Sequence, residues 1–248
     1  MQDPTLLAAA AATFFLAGTV KGVIGLGLPT ITLGLMTLLL DLPSAMALLI
    51  VPSLATNLWQ ASVGGHMREI LRKTWPFLLT ATVTIWLGAQ ALSHVELSYL
   101  SALLGLLLIA YAAIGLAGFR FSMSARTAFR SGALFGIANG ILTGMTGSFM
   151  VPGVLYLQAT GMPRDVLVQA MGMLFLLSTA ALALALGHGA HVDPNLGLAS
   201  ALGLIPAILG MVLGRKIRGY LSEALFRRVF FAGVLLLGLA IAAKAVMS

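Results

Sequence analysis

Two hydrophobic runs of the sequence are too long to be single membrane helices, and this limits the folds open to the chain more than any other feature. The runs cover residues 5–40 and 131–160. As continuous helices they would be about 54 Å and about 45 Å long, whereas the hydrocarbon core of a bilayer is about 30 Å thick. Each run contains a glycine-rich motif, GTVKGVIGLGLP over 18–29 and GIANGILTGMTG over 136–147. We therefore expect each run to be broken near its motif, because glycine permits the backbone angles that an unwound turn requires.

The composition assigns the chain to the membrane. Hydrophobic residues make up 60% of its 248 residues and charged residues only 8%, against about 25% charged residues in a typical soluble domain. The net charge of +7 fits basic loops that set membrane topology, and we expect no nucleic-acid partner.

The sequence favours neither an enzyme nor a metalloprotein. It contains no cysteine, which excludes disulfides, thiolate metal sites and thiol catalysis. His188 and His191 beside Asp193 supply too few ligands for a convincing metal site. Because a Ser/His/Asp signature is also absent, we expect no catalytic residue, no metal and no cofactor.

The remaining apolar runs have lengths near the ~20 residues that a membrane helix needs. They cover 45–63, 75–93, 97–118, 166–187, 196–214 and 229–247.

Loop charges test how the two long runs cross the membrane. Twelve basic residues lie between the runs: Arg68, Arg72, Lys73, Arg120, Arg126, Arg130, Arg164, Arg215, Lys216, Arg218, Arg227 and Arg228. If every run crossed once, six would fall on each side, against the positive-inside rule. If both long runs fold back as hairpins, all twelve share one face, which is then cytoplasmic. A hairpin at 131–160 alone would also group them, so the fold-back of 5–40 rests on its length and its likeness to the second copy.

Two hairpins give an odd number of membrane segments per half, which inverts the second half relative to the first. The predicted fold is an all-α polytopic membrane protein with two inverted repeats, each a glycine-broken helical hairpin followed by three transmembrane helices. The first repeat covers 1–118, a basic cytoplasmic linker covers 119–130, and the second repeat covers 131–248.

The two motifs are the candidate substrate site. Half-helix ends present unpaired N–H groups and a partial positive charge, an arrangement that receives anions. We expect a small anion to contact the following residues of the two copies: Lys21, Gly22 and Gly25 in the first, Asn139, Gly140 and Gly144 in the second. Two alternatives stay open, namely that the glycines only pack helices together and that Lys21 extends to water at the membrane boundary.

Other polar residues extend this candidate site. Thr143, Thr146 and Ser148 offer hydroxyls to oxyanion oxygens, or they satisfy backbone groups that the break has freed. Asn57 and Gln169 follow the first and second hairpins, where an amide either lines a cavity or bonds one helix to another.

Several further stretches carry a family resemblance. They are 140–147, the FMVP and GMP sequences at 149–152 and 161–163 with the run containing Gln169, and the closing stretches LGLIPAILG at 202–210, LGR at 213–215 and FRR at 226–228. On these residues the chain resembles the TauE/SafE family of membrane permeases, described as exporters of sulfite and organosulfur anions. The resemblance covers nearly the whole chain.

Together the residues and the resemblance predict a secondary transporter that exports a small anion by alternating access. What the resemblance implies is sulfite or an organosulfur anion as substrate, and the bacterial cell (inner) membrane, with cytoplasmic basic loops, as location. The lipid bilayer and the anion are the expected partners, and a coupling ion (proton or sodium) and a homodimer are left open. The alternatives are an anion channel and a non-transport membrane assembly factor.

Overall fold

The computed structural model describes residues 4–119, 121–188 and 194–247, and these residues contain helices but no β-strand. The helices are α1 (Pro4–Ile24), α2 (Leu28–Leu39), α3 (Leu42–Ser62), α4 (Met67–Val83), α5 (Ile85–Ala89), α6 (Ala91–His94), α7 (Leu97–Ala117), α8 (Ala125–Thr146), α9 (Leu155–Ala159), α10 (Arg164–His188), α11 (Pro194–Ile217) and α12 (Glu223–Met247).

Seven segments in the described part of the chain are long and apolar enough to cross a membrane. They are Pro4–Ile24, Leu42–Ser62, Met67–His94, Leu97–Ala117, Arg164–Gly187, Leu196–Tyr220 and Ala224–Met247. Two further apolar segments, Leu28–Leu39 and Met150–Ala159, are shorter. The prediction of an all-α multi-pass membrane protein is confirmed.

The first long run is divided into α1 and α2, as its length predicts. The break is shorter than the motif, since residues 18–24 remain helical and only Gly25, Leu26 and Gly27 leave the helix. Gly25 and Gly27 have φ angles of 78° and 111°, in the region that favours glycine. Pro29 lies in the first turn of α2, where its missing N–H costs no hydrogen bond.

The second long run is also divided, again beyond most of its motif. Residues 136–146 belong to α8, and the helix ends at Gly147, whose φ angle is 72°. A wide turn over Met150–Val154 follows, in which Val151 is extended. The chain then enters α9.

This second run folds back on itself. The N–H of Met123, just before α8, donates to the carbonyl of Ala159 at the end of α9 at 2.8 Å. The Tyr156 hydroxyl donates to the Ala128 carbonyl in the first turn of α8, also at 2.8 Å. The end of the run therefore meets its beginning, as a hairpin at 131–160 requires, and the place of this hairpin in a repeat stays a prediction.

The helices form two compact units, and the first contains α1, α2, α3 up to Pro52, α7, α11 and α12. Within it, α1 packs on α11, and α12 packs on both α7 and α2. The aromatic rings of Tyr111 on α7 and Phe231 on α12 meet edge to face at 5.3 Å.

The second unit contains the remainder of α3 from Ser53, the series α4 to α6, and α8 to α10. Here α8 packs on α4 and α5, and α10 packs on the same two helices. The hydroxyls of Thr80 in α4 and of Thr84, directly after it, lie 3.0 Å and 3.2 Å from the carbonyls of Ala133 and Ile137, so the backbone of α8 lies close to this part of the chain.

Each unit therefore takes helices from both halves of the sequence. The first unit carries the break at Gly25–Gly27 and the second carries the break at Gly147–Phe149. These units are not the predicted repeats, which divide the chain in sequence order into 1–118 and 131–248. The division into repeats stays a prediction.

Candidate functional site

Lys21 is the charged residue of the first break. It lies in the last turn of α1 and is only 3% exposed. Its carbonyl accepts the N–H of Gly25 at 2.8 Å, which closes α1 directly before the break. A side chain buried to this degree does not extend to water, so its burial argues against the snorkelling alternative.

Gly22 lies in a helix contact. The face of α1 that carries Gly18 and Gly22 lies against the backbone of α11, where a Cβ on Gly22 would clash with the Met211 carbonyl. In return, Gly210 and Gly214 of α11 lie against the carbonyls of Phe15 and Thr19. Small residues four apart allow such close approach of two membrane helices. In the structure these glycines let two helices pack together, which is one of the two roles expected for them. Substrate contact by Gly22 stays a prediction.

The amino end of α2 offers uncommitted N–H groups beside the break. Its N-cap is Gly27, which supplies no side-chain hydrogen bond. The first intrahelical bond is donated by Ile31 to Gly27, and helix starts leave the preceding N–H groups unsatisfied. The Thr30 hydroxyl in the same turn is buried and has no hydrogen-bond partner. Thr30 could not be selected from the sequence, because a threonine in an apolar helix gives no signal of its own.

The carboxyl end of α2 is held by Lys244 of α12. The Lys244 ammonium donates to the carbonyls of Thr37, Leu38 and Leu40, at 3.1 Å, 3.0 Å and 3.4 Å. A cation at a helix carboxyl end is stabilised by the free carbonyls and by the helix dipole. This contact fixes the position of the short helix that begins at the first break.

Asn139 takes the motif position of Lys21 in the second copy and is fully buried in α8. Its Oδ1 accepts the N–H of Gly153, in the wide turn after the break, at 2.9 Å. Its Nδ2 is buried without a hydrogen-bond partner. Asn139 therefore binds the turn by one end of its amide and presents two unused donors by the other.

Thr143 and Thr146 use their hydroxyls on the backbone of the break. The Thr143 hydroxyl donates to the Ser148 carbonyl at 3.0 Å. The Thr146 hydroxyl donates to the Leu142 carbonyl at 2.6 Å, and its oxygen lies 3.3 Å from the Ser148 nitrogen. These bonds satisfy backbone groups that the break has freed, which is the structural one of the two roles expected for the threonines. Substrate contact by either threonine, or by the buried Ser148, stays a prediction.

Gly140 and Gly144 lie in a helix contact that matches the one at Gly22. They face the backbone of α4 and α5 at Ala81 and Ile85, and Gly88 of α5 lies against the Ile141 carbonyl. Neither glycine has room for a Cβ. Their observed role is close packing, and substrate contact is again untested.

Gln169 joins two helix ends. Its amide nitrogen donates to the Ala61 carbonyl at 2.8 Å, near the end of α3, and its Oε1 accepts the N–H of His66 at 2.9 Å, at the start of α4. Both ends of this amide are engaged with backbone, which indicates a structural role. Asn57, the other candidate amide, is fully buried in α3.

Two buried hydroxyls on α10 were not selected from the sequence. Ser178 and Thr179 are fully buried, and neither hydroxyl has a hydrogen-bond partner. Sequence alone does not separate them from threonines that bond to their own helix, because the difference lies in side-chain orientation.

No group of three or more His, Cys, Asp or Glu side chains within the described residues is placed to hold a metal ion. His191 and Asp193 of the histidine cluster considered above lie outside the described residues, as does Arg120 of the linker.

The fold and its two broken helices define a multi-pass α-helical membrane protein. Residues 10–241 match the family model described as Sulfite exporter TauE/SafE. No curated protein and no solved structure matches the chain. Since the family match spans nearly all of the sequence, the chain belongs to the TauE/SafE family, a family of membrane transporters, and the resemblance noted in the sequence is confirmed.

Proposed function

We propose that the protein is a secondary transporter that exports sulfite or an organosulfur anion by alternating access. The proposal rests on Lys21 and Asn139, two nitrogen-bearing side chains that take the same position in the two glycine-rich motifs. Lys21 in the first unit is 3% exposed and Asn139 in the second is fully buried. A buried lysine at membrane depth is costly and marks a functional site by default. Each side chain precedes a helix break, as in transporters whose discontinuous helices bind substrate.

The first break supplies the features that an anion requires. The amino end of α2 has no side-chain cap, and free N–H groups with a positive helix dipole favour negative charge. Lys21 would add a cationic contact in the same unit. The proposed substrate-binding residues in this unit are Lys21 and Gly25.

An inverted repeat is part of this proposal, and the packing supports it. The glycine-bearing helix of the first half, α1, packs on α11 of the second half. The glycine-bearing helix of the second half, α8, packs on α4 and α5 of the first half. Such an exchange is expected when two halves of the same design interlock, and alternating access would then move one part of the molecule against another around the substrate.

We further propose that the protein lies in the bacterial inner membrane with its basic loops in the cytoplasm. The basic side chains of these loops support that orientation, since those of the described segments are mostly exposed, among them Arg68, Arg126, Arg164 and Arg228. Cytoplasmic loops carry the excess of Lys and Arg in membrane proteins.

The experiment is uptake into proteoliposomes that contain the purified protein. Radiolabelled sulfite, several sulfonates and several carboxylates are supplied in turn, and proton and sodium gradients are imposed to identify a coupling ion. We expect saturable uptake of sulfite or a sulfonate, accelerated by the same anion inside the vesicle. Such counterflow requires a carrier that changes conformation.

Two outcomes would contradict the proposal. Flux that does not saturate and shows no counterflow would indicate an anion channel. Absence of flux for every anion would favour a membrane assembly factor instead.

A further inference from the structure

Two helices of the second unit begin with exposed arginines that pair with no carboxylate. Arg68 and Arg72 are the second and sixth residues of α4, and Arg126 and Arg130 are the second and sixth residues of α8. All four side chains are exposed, and among the described residues no ion pair involves any of them. The proposed transport mechanism does not use these arginines.

The two helices run side by side in the same direction. A Cβ on Gly132 of α8 would lie 3.4 Å from the Cβ of Phe77 in α4, and a Cβ on Gly140 would meet the carbonyl of Ala81. Residue numbers therefore increase together along the contact, which makes α4 and α8 parallel. Both amino ends, with the positive ends of their helix dipoles, lie at the same edge of the second unit.

A contact between two aromatic rings places the arginines relative to each other. The ring of Trp75 in α4 lies 6.3 Å from the ring of Phe129 in α8. Arg72 precedes Trp75 by three residues, and Arg126 precedes Phe129 by three residues. Residues three apart share a helix face, and three residues are about 4.5 Å of helix. Arg72 and Arg126 are therefore neighbours, displaced equally from the ring contact towards the shared edge.

The acidic side chains of the second unit do not neutralise this pair. In the described part of the unit they are Glu69 and Asp165. Glu69 accepts a hydrogen bond from Lys73 at 2.7 Å, and neither carboxylate forms an ion pair with Arg72 or Arg126. Two adjacent guanidinium groups repel each other. A phosphate between them replaces repulsion by attraction, and guanidinium groups bind phosphate through paired hydrogen bonds.

Apolar side chains continue the same surface away from the shared edge. On α4 the face of Arg72 goes on with Trp75 and Leu79, and on α8 Phe129 is followed by Leu134. All four of these apolar side chains are exposed. Tryptophan is enriched at the level of the lipid headgroups. The order along both helices is thus charged, aromatic and aliphatic, which is the order of phosphate, glycerol and acyl chain in a phospholipid.

We propose that the adjacent starts of α4 and α8 bind an anionic phospholipid, with Arg72 and Arg126 at its phosphate and Trp75 and Phe129 against its upper acyl chain. A lipid fits better than a soluble anion, because the arginines continue into exposed apolar side chains on both helices. The site lies at the opposite end of α8 from the second break and does not depend on the transported anion. Only the choice of leaflet, the cytoplasmic one, rests on the orientation proposed above.

Trp75 can report on this site by its fluorescence. The chain contains three tryptophans, and Trp59→Phe with Trp86→Phe leaves Trp75 alone; both replaced side chains are exposed. The protein is placed in phosphatidylcholine nanodiscs that contain a rising fraction of phosphatidylglycerol or phosphatidylcholine with brominated acyl chains, which quench a tryptophan that they touch. We expect phosphatidylglycerol to quench Trp75 at a mole fraction at least about tenfold lower, since each basic residue near the surface adds to the attraction.

Two charge-removing variants test the arginines. Arg72→Gln and Arg126→Gln are each expected to lower the preference for phosphatidylglycerol by about fivefold. Arg72→Lys retains the charge and should retain most of the preference. The unfolding temperature of all three variants should match that of the parent protein, because these side chains are exposed. An unchanged preference in both glutamine variants would overturn the inference.

Arg218→Gln is the matched control, because it removes an exposed arginine from the first unit. It should leave the quenching of Trp75 unchanged. A loss equal to that of Arg72→Gln would show that the net charge of the protein attracts the lipid, and the site would be wrong. Glycerol phosphate supplies the phosphate without acyl chains and should not relieve the quenching at millimolar concentration. Relief at micromolar concentration would assign the arginines to a soluble anion instead.

The outcomes separate this inference from the proposed function. If the two brominated lipids quench Trp75 equally while proteoliposomes transport an anion, the lipid site is wrong and the transport function stands. If the preference for phosphatidylglycerol depends on Arg72 and Arg126 but no anion is transported, the lipid site stands and the transport function is wrong.

Discussion

The ammonium of Lys244 lies 3.0 Å from the carbonyl oxygen of Leu38, so the last helix of the chain caps the short helix that follows the first break. Lys244→Met keeps most of the aliphatic stem and removes the charge. We expect it to lower the free energy of unfolding by about 1 kcal/mol, a typical value for a capping cation that is partly exposed. Thermal unfolding in detergent measures the change, and Lys244→Arg, which retains the charge, should lose less. Equal stability of Lys244→Met and the native protein would contradict the capping role.

Two glycines in the first unit should respond to alanine in opposite directions. A Cβ on Gly22 would clash with the α11 backbone, whereas Gly233 in α12 has open space beside it. We expect Gly22→Ala to destabilise the protein by about 1–3 kcal/mol through overpacking. Gly233→Ala should stabilise it by up to about 1 kcal/mol, since alanine favours the helix. The comparison of the two unfolding temperatures is the measurement, and a tolerated Gly22→Ala would show that α1 and α11 are not in close contact.

Thr143 should act on stability through its bond to the Ser148 carbonyl. Thr143→Val keeps the shape of the side chain and removes the hydroxyl, so we expect a loss of about 1 kcal/mol, the usual net value of one hydrogen bond. Thr143→Ser restores the donor and should recover most of that loss. A Thr143→Val protein of native stability with a strongly raised KM for transport would instead assign the hydroxyl to the substrate.

Lys21 should act on transport. We expect Lys21→Ala to reduce sulfite flux at least about tenfold, because a buried charged contact to an anion is worth more than about 1.4 kcal/mol. The folded fraction, measured by size-exclusion chromatography, should stay the same. Lys73→Ala is the control, since Lys73 is exposed and paired with Glu69 at 2.7 Å, and its loss should not affect flux. Native flux in both Lys21→Ala and Asn139→Leu would refute the site assignment at the two breaks.

The inverted repeat predicts the sides on which two loops lie. Ser44, near the start of α3, and Arg164, at the start of α10, follow the two divided runs at corresponding places. Single cysteines introduced at these positions into the Cys-free chain are labelled by a membrane-impermeant reagent from either side. We expect labelling from opposite sides. Labelling of both from one side would contradict the inverted repeat.

The sequence predicted the helix breaks because chain length and bilayer thickness can be compared directly. It did not predict their positions within the motifs. Glycine serves two purposes here, and the residue type alone does not separate them. Gly22, Gly140 and Gly144 let helices approach closely, whereas Gly25 and Gly147 adopt positive φ angles and end their helices.

The two residues that the sequence selects by residue type can be compared with the structure by their burial alone, and their contact with a substrate stays a prediction. Lys21 and Asn139 are both buried, as an intramembrane charge and its motif counterpart should be. The engagement of Gln169 with two helix ends depends on tertiary contacts that no local pattern encodes. The same is true of Ser178 and Thr179, since only the orientation of each hydroxyl distinguishes them from back-bonded threonines.

The packing of α1 on α11 joins two helices that are far apart in the order of synthesis. The glycine face of α1 is made before the helix that covers it, α11, because α11 lies far downstream in the chain. Helices α2 to α10 are made between these two events. The first unit can therefore close only after α11 has been made, and a nascent chain truncated before α11 would present an uncovered stripe of glycine to the lipid.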